Sequence, residues 1–233
     1  MSEDWKIKGQ QIVYSGIDPL IKIFVKSGIK PNHITFAGLI INIIAACLFI
    51  YGAEYGERNE HNYVGWAGAT ILLAGLMDMI DGRLARVGKM DSRYGALYDS
   101  VLDRYSEMIM FLGICYYLIY YQYFLSSLFA FIAMIGSVMV SYTRARAEGL
   151  GVKMSDIGLM QRPERILLIG ISGIICGIMS AIMGPDFKLS VSWCPFSVFE
   201  TISFFTFPLF VLAVLANITA INRLIHAKKL LDL

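Results

Sequence analysis

Residues 108–143 read MIMFLGICYYLIYYQYFLSSLFAFIAMIGSVMVSYT, an unbroken run without a charged side chain. At ~1.5 Å per residue, one helix of that length would overshoot the ~30 Å hydrocarbon core of a bilayer. The run therefore predicts two membrane spans joined by a tight turn near Tyr120–Phe124, where YYQYF interrupts the aliphatic pattern. Working outward, further runs without Asp, Glu, Lys or Arg cover 31–53, 61–77, 166–185 and 201–222. Together they predict an all-α membrane protein with six transmembrane helices. The composition agrees: 57% of the 233 residues are hydrophobic and only 16% charged, with a mean hydropathy of +0.61, beyond what a soluble domain of this size carries.

The distribution of lysine and arginine orients the spans. Residues 1–31, 82–104, 144–165 and 223–229 hold 5, 5, 5 and 3 of the 20 basic residues, leaving only Arg58 and Lys188 for the opposite side. The basic side is expected to be cytoplasmic, with both termini on it, in a multi-pass protein of the cytoplasmic membrane. The formal net charge of +2 carries no nucleic-acid signal. The first 31 residues are polar and amphipathic, unlike a cleavable signal, and WKIKGQQIVYSGIDPLIKIFVKSGIK (Trp5–Lys30) reads as an interfacial helix or two. The expected organisation is an interfacial segment, 1–31, followed by one transmembrane domain, 32–233. Cys47, Cys115, Cys176 and Cys194 show no metal or redox spacing, and the first three behave as small hydrophobes inside apolar spans. His33, His61 and His226 are isolated and read as interfacial.

Against this background the stretch Met77–Glu107, MDMIDGRLARVGKMDSRYGALYDSVLDRYSE, sets Asp78, Asp81, Asp99 and Asp103 among five basic residues at the edge of two spans. Asp78, Asp81 and Gly82 fall at i, i+3 and i+4 of one helix, with Ala85 and Arg86 continuing the same face. Gly95, Asp99 and Asp103 repeat at i, i+4 and i+8 of the next. Two acidic stripes thus face each other across a short turn. Four carboxylates so close in low dielectric repel one another or take up protons unless cations neutralise them. An all-oxygen donor set selects Mg²⁺, Mn²⁺ or Ca²⁺ over zinc or copper. Two such ions would clamp a diphosphate, glycines would let a ligand approach the backbone, and Arg86 would meet phosphate charge. The competing structural reading has these aspartates capping helices and pairing with Arg83, Arg86, Arg93 and Arg104 at a wet interface. A cation carrier is a further alternative, although a carrier places its carboxylates near the midplane.

The pattern Asp-x2-Asp-Gly-x2-Ala-Arg-x8-Gly-x3-Asp-x3-Asp, filled by Asp78, Asp81, Gly82, Ala85, Arg86, Gly95, Asp99 and Asp103, resembles the signature of the CDP-alcohol phosphotransferases at every fixed position. KPNHIT (Lys30–Thr35) and the six-span organisation extend the likeness over most of the chain. The resemblance implies transfer of a phosphatidyl group from CDP-diacylglycerol or a similar CDP-lipid to an alcohol, with release of CMP. It implies a two-metal centre of Mg²⁺ or Mn²⁺ held by Asp78, Asp81, Asp99 and Asp103, with Asp103 also the general base. It places the CDP-lipid on Asn32, Thr35, Gly82, Arg86 and Ser92. For Asn32 and Thr35 a plain helix start, and for Ser92 ordinary turn chemistry, are the structural alternatives.

SYTRARAEGLG (Ser141–Gly151) and GLMQRPERI (Gly158–Ile166) resemble the branch that uses inositol phosphate, the phosphatidylinositol phosphate synthases and their archaeal relatives. Ser141, Arg144, Arg165 and Arg223, from three helices, could cradle a phosphate dianion. That branch commonly has lysine where Arg144 stands, a departure that keeps the charge and changes its geometry. Glycerol 3-phosphate, serine or free inositol are the other acceptors to weigh. Arg144 could instead pair with Glu148 at i+4, and arginines at cytoplasmic helix ends could serve topology alone. Gly170, Ser172, Gly173, Gly177 and Ser180 suggest close helix contact, within the chain or across a dimer. The family resemblance favours a homodimer.

Overall fold

The computed structural model describes residues 3–154, 158–184, 187–190 and 197–232, with side chains from Tyr14 onward except those of 190, 197 and 198. Cys194 lies outside the described residues. Seven helices dominate the described residues: α1 (Glu3–Lys26), α2 (Pro31–Tyr55), α3 (Asn62–Gly88), α4 (Arg93–Tyr120), α5 (Phe124–Gly149), α6 (Arg162–Met183) and α7 (Ser203–Leu231). A short antiparallel hairpin, β1 (Lys188–Ser190) and β2 (Ser197–Glu200), joins α6 to α7.

The long apolar run divides where its length demanded. Helix α4 stops at Tyr120, Gln122 takes the left-handed conformation (φ 64°), and the amide of Tyr123 donates to the Leu118 carbonyl at 2.8 Å to close the helix end. Among the described residues five helices, α2, α3, α5, α6 and α7, are long and apolar enough to cross a membrane. At 28 residues α4 is equally long, but its first fifteen residues carry Arg93, Asp99, Asp103, Arg104 and Glu107, so it falls short by composition and not by length.

Helix α2 packs on α3 and α4, α3 also on α6, and α5 on α7 and α4. Small residues set these approaches, as expected where lipid offers no hydrophobic drive between helices. A Cβ on Gly68 would lie 2.6 Å from the Gly170 carbonyl oxygen, and one on Gly177 would lie 2.7 Å from the Gly65 Cα. The small-residue stripe of α6 is therefore spent on α3 of the same chain. Aromatic packing centres the bundle, with Phe49 stacked on Phe205 at 5.8 Å and edge-on to Tyr117 at 6.0 Å. Large apolar side chains such as Leu112, Phe131, Ile178 and Ile218 point outward, as lipid-facing residues do.

A smaller cluster anchors α1, where Ile17 and Ile21 pack with Ile34, Ile80 and Leu84 at the ends of α2 and α3. At the opposite end of the bundle His61, at the start of α3, is enclosed by protein. It is only 2% exposed, with Nδ1 2.9 Å from the Tyr117 hydroxyl and its amide donating to Ser180 Oγ at 3.0 Å. Burial pushes its imidazole down from the ordinary 6.5 to about 4.

Candidate active site

The four signature aspartates occupy the facing ends of α3 and α4, near the turn that connects them. Lys89 takes the left-handed conformation (φ 52°) and the Met90 amide returns to the Ala85 carbonyl at 2.9 Å, ending α3. Ser92 then opens α4, its hydroxyl accepting from the Gly95 amide at 2.9 Å. Ser92 is thus an N-cap, as its residue type favours, while it also borders a cavity. A Cβ on Gly95 would come within 2.9 Å of the Ser92 hydroxyl, so that glycine is required by the cap as much as by any ligand.

Among the basic residues that the structural reading offered as partners, Arg83 turns to Asp18, Arg86 to Tyr14 and Arg104 to Ser100. Arg162, at the start of α6, takes the aspartates instead. Its Nη1 lies 2.5 Å from Asp78 Oδ2 and 2.8 Å from Asp103 Oδ2, spanning α3 and α4. Asp81 is 5% exposed, and its Oδ2 is buried with no hydrogen-bond partner. Among the described residues, no three His, Cys, Asp or Glu side chains are gathered closely enough to hold one metal ion. The donor chemistry nonetheless fits a hard cation: every donor is a carboxylate oxygen, one is buried without a donor opposite it, and positive charge already bridges two of the others.

Two cavities flank α4 and share Ala96 and Asp99 as lining residues. The first, about 610 Å³, is bounded by the start of α2, the end of α3 and the start of α4, and it gathers Asn32, Thr35, Asp81, Gly82, Arg86 and Ser92. All five residues assigned to the CDP-lipid by resemblance line it. Helix α2 begins after Lys30 with no side-chain cap, so Asn32 is not spent on capping. Thr35 is buried with its hydroxyl 3.2 Å from the Pro31 carbonyl. A Cβ on Gly82 would meet nothing within 4 Å and would simply reduce the space.

The second cavity, about 480 Å³, brings together Asp103, Ser141, Arg144, Arg162, Arg165 and Arg223. The three arginines expected to hold a phosphate do share one cavity, yet each already has an oxygen partner. Arg144 Nε donates to Glu148 Oε1 at 2.9 Å. Arg223 Nη1 donates to the Val140 carbonyl at 2.8 Å. Arg165, 1% exposed, is gripped by Glu107 through Nε at 2.7 Å and Nη2 at 3.1 Å, with Nη1 on the Met160 carbonyl at 3.1 Å.

Sequence reasoning passed over two residues of this site. Glu107 continues the Gly95, Asp99, Asp103 stripe by one further step of four, so its place beside the site was readable from spacing. Arg162 stands three residues before Arg165 at a helix start, which puts both on one face. Nothing local indicated that it would reach Asp78, 84 positions away in the chain.

The family model described as CDP-alcohol phosphatidyltransferase matches residues 29–200. The phosphatidylinositol phosphate synthase of Mycobacteroides abscessus is 31% identical over 162 residues, covering 69% of each chain. The archaetidylinositol phosphate synthase of Pyrococcus horikoshii is 29% identical over 216 residues, covering 91% of this chain and 90% of its own. Among solved structures, the Mycobacterium tuberculosis phosphatidylinositol phosphate synthase with CDP-DAG bound superposes with a TM-score of 0.69 at 23% identity, over 90% of this chain and 92% of that one. The same enzyme in complex with manganese and citrate also gives a TM-score of 0.69, over 90% and 87%. At that identity the likeness speaks for the fold.

Proposed function

This chain belongs to the CDP-alcohol phosphatidyltransferase family, a membrane-bound enzyme class of phospholipid biosynthesis, and on that basis we propose that it transfers a phosphatidyl group from CDP-diacylglycerol or a similar CDP-lipid to inositol phosphate, releasing CMP. The observation that carries this reading is the pair of cavities meeting at Asp99. One has the residues for a nucleotide diphosphate lipid, the other is ringed by arginines, and the acidic cluster stands between them.

In this reading the CDP-lipid occupies the α2–α3–α4 cavity, its phosphates near Arg86 and its nucleotide end near Asn32, Thr35, Gly82 and Ser92. The acceptor enters from the other side, its phosphate held by Ser141, Arg144, Arg165 and Arg223. Arginine suits a phosphate dianion because its planar fork donates two hydrogen bonds at once. An acceptor hydroxyl oxygen attacks the phosphorus that carries the diacylglycerol, and the bond from that phosphorus to the CMP oxygen breaks. Asp103, which borders the acceptor cavity, receives the hydroxyl proton. Asp78, Asp81, Asp99 and Asp103 would hold two Mg²⁺ or Mn²⁺ ions, which when bound offset charge on the diphosphate and the leaving oxygen. Manganese in complex with the mycobacterial enzyme supports that choice of cation.

The membrane arrangement belongs to the same reading. Six helices span, with α4 as the sixth, and the 1–31 segment, which carries α1, lies at the interface beside the transmembrane domain. Both termini and the active site face the cytoplasm, in accord with the 18 basic residues assigned to that side. The working form is a homodimer in the cytoplasmic membrane, as the family resemblance implies. The deciding experiment is CMP release from CDP-diacylglycerol by purified protein with Mg²⁺ or Mn²⁺, offered inositol phosphate, glycerol 3-phosphate, serine and free inositol. Turnover with inositol phosphate alone is expected. Preferential use of any other acceptor would transfer the assignment to that alcohol, and no CMP release with any acceptor would overturn it.

A further inference from the structure

Arg86 lines the nucleotide-lipid cavity from the last turn of α3, and its guanidinium is held by one group of the cavity wall and one from outside it. Nε donates to the Gly82 carbonyl at 3.0 Å, and Nη2 donates to the hydroxyl of Tyr14, on α1, at 2.6 Å. The Tyr14 ring centre lies 5.4 Å from the Arg86 guanidinium carbon and 4.9 Å from that of Arg83, within cation–π range of both. One turn along α1, Asp18 takes Arg83 with two bonds, 2.9 and 3.0 Å, and Arg83 holds that carboxyl below its ordinary range.

Tyr14 and Asp18 stand at i and i+4, and the adjoining face of α1 is anchored by Ile17 and Ile21, in a cluster against which the Tyr14 ring also packs. An exposed ion pair alone would position a helix poorly. An apolar anchor with two polar contacts one turn apart fixes it in rotation as well. The two arginines receive chemically different partners. A carboxylate neutralises Arg83 and draws it away from the cavity. A neutral phenol oxygen restrains Arg86 without cancelling its charge, so the full positive charge stays available to a diphosphate. Fixing a long side chain before the ligand arrives removes part of the ordering cost of binding.

We propose that Tyr14 is a positioning residue for the CDP-lipid, acting through Arg86, so that α1 sets affinity for the nucleotide-lipid while the chemistry belongs to the transmembrane helices. This rests on the reading that the α2–α3–α4 cavity takes the CDP-lipid. The test is a double-mutant cycle on full-length protein in lipid nanodiscs, with Kd for CDP-diacylglycerol measured without acceptor for wild type, Tyr14→Phe, Arg86→Gln and the double variant. Phenylalanine keeps the ring and the packing and removes only the hydroxyl.

Tyr14→Phe is expected to weaken binding by about three- to tenfold, the range for a hydrogen bond to a charged group felt indirectly. The double variant should bind no more weakly than Arg86→Gln, because the hydroxyl has nothing left to position. With acceptor present, KM for the CDP-lipid should rise in the same ratio while kcat and the acceptor KM stay within about twofold of wild type. A Tyr14→Phe Kd equal to that of wild type, or two effects that multiply in the double variant, would overturn the proposal. An Arg86→Gln protein that binds normally would overturn it together with the placement of the lipid. Coupled losses of affinity in a protein that releases no CMP with any acceptor would uphold the positioning role and sink the transferase reading instead.

Discussion

Nη1 of Arg162 lies 2.8 Å from Oδ2 of Asp103, the residue assigned as general base, and the same nitrogen reaches Asp78. A cation entering this cluster has to compete with that guanidinium. Arg162→Gln is therefore expected to tighten Mn²⁺ binding, by about tenfold if the guanidinium contributes as a typical charge-assisted partner. In chelator the same variant should lose stability, by less than the ~3 kcal/mol of a fully buried pair because these side chains are only partly buried, and Mn²⁺ should restore it. Calorimetric titration with Mn²⁺ and thermal melts with and without chelator read both effects. Unaltered Mn²⁺ affinity would show that the guanidinium and the ion do not share these carboxylates.

Asp103→Asn is expected to abolish transfer while leaving CDP-lipid binding largely intact, because an amide cannot accept the hydroxyl proton and Asp81 and Asp99 still border the cavity proposed for the lipid. Loss of a positioned base lowers rate by ~10² to 10⁴. Single-turnover CMP release alongside a binding titration measures the two separately. Near wild-type turnover at saturating metal would remove Asp103 from this role.

Asp78→Ala should act differently: if Asp78 is shared between two ions, its loss removes the carboxylate that organises the remaining ligands, and metal-dependent binding of CDP should vanish together with activity. CDP titrations with Mg²⁺ and with chelator would show the metal-dependent component vanish. If that component survives, two ions are not organised through Asp78.

The arginines of the proposed acceptor cavity separate into two kinds. Arg144→Gln and Arg223→Gln are each expected to raise KM for inositol phosphate by at least about tenfold, with little change in KM for the CDP-lipid. Arg165→Gln should cost stability first, by about 3 to 5 kcal/mol, because it strands Glu107 in a buried site. The double variant Arg165→Gln with Glu107→Gln should recover most of that stability and still bind acceptor poorly. Melting curves and acceptor KM for the four proteins provide the check. Unchanged acceptor KM throughout would leave these arginines as markers of topology.

His61, buried neutral, makes stability depend on pH. Its imidazole titrates near 4 when folded against 6.5 ordinarily, so below about pH 6.5 the unfolded chain binds a proton that the folded chain refuses. Stability is fully present above pH 6.5 and falls as pH drops toward 4, by about 3 kcal/mol in all. Melts between pH 7.5 and 4.5 should show this decline, and His61→Gln should flatten it. Parallel curves for the two proteins would mean that His61 does not carry the dependence.

Chain length and periodicity were enough to divide residues 108–143 at Tyr120–Phe124 and to place Asp78, Asp81, Asp99 and Asp103 on helix faces beside a turn. Both are local properties: helix rise determines how much apolar chain a bilayer can take, and the 3.6-residue repeat determines which side chains share a face. What those faces meet was decided only by tertiary packing. The glycines of α6 could have served a partner copy, and the close approach of Gly68 to Gly170 turned them toward α3. The cation against Asp78 and Asp103 proved to be Arg162 of α6, Arg165 proved to be held by Glu107, and Arg86 by Tyr14, each pair at least 58 positions apart. Spacing along one helix cannot register such pairs, because the angle and depth at which a second helix docks come from packing along the whole of both.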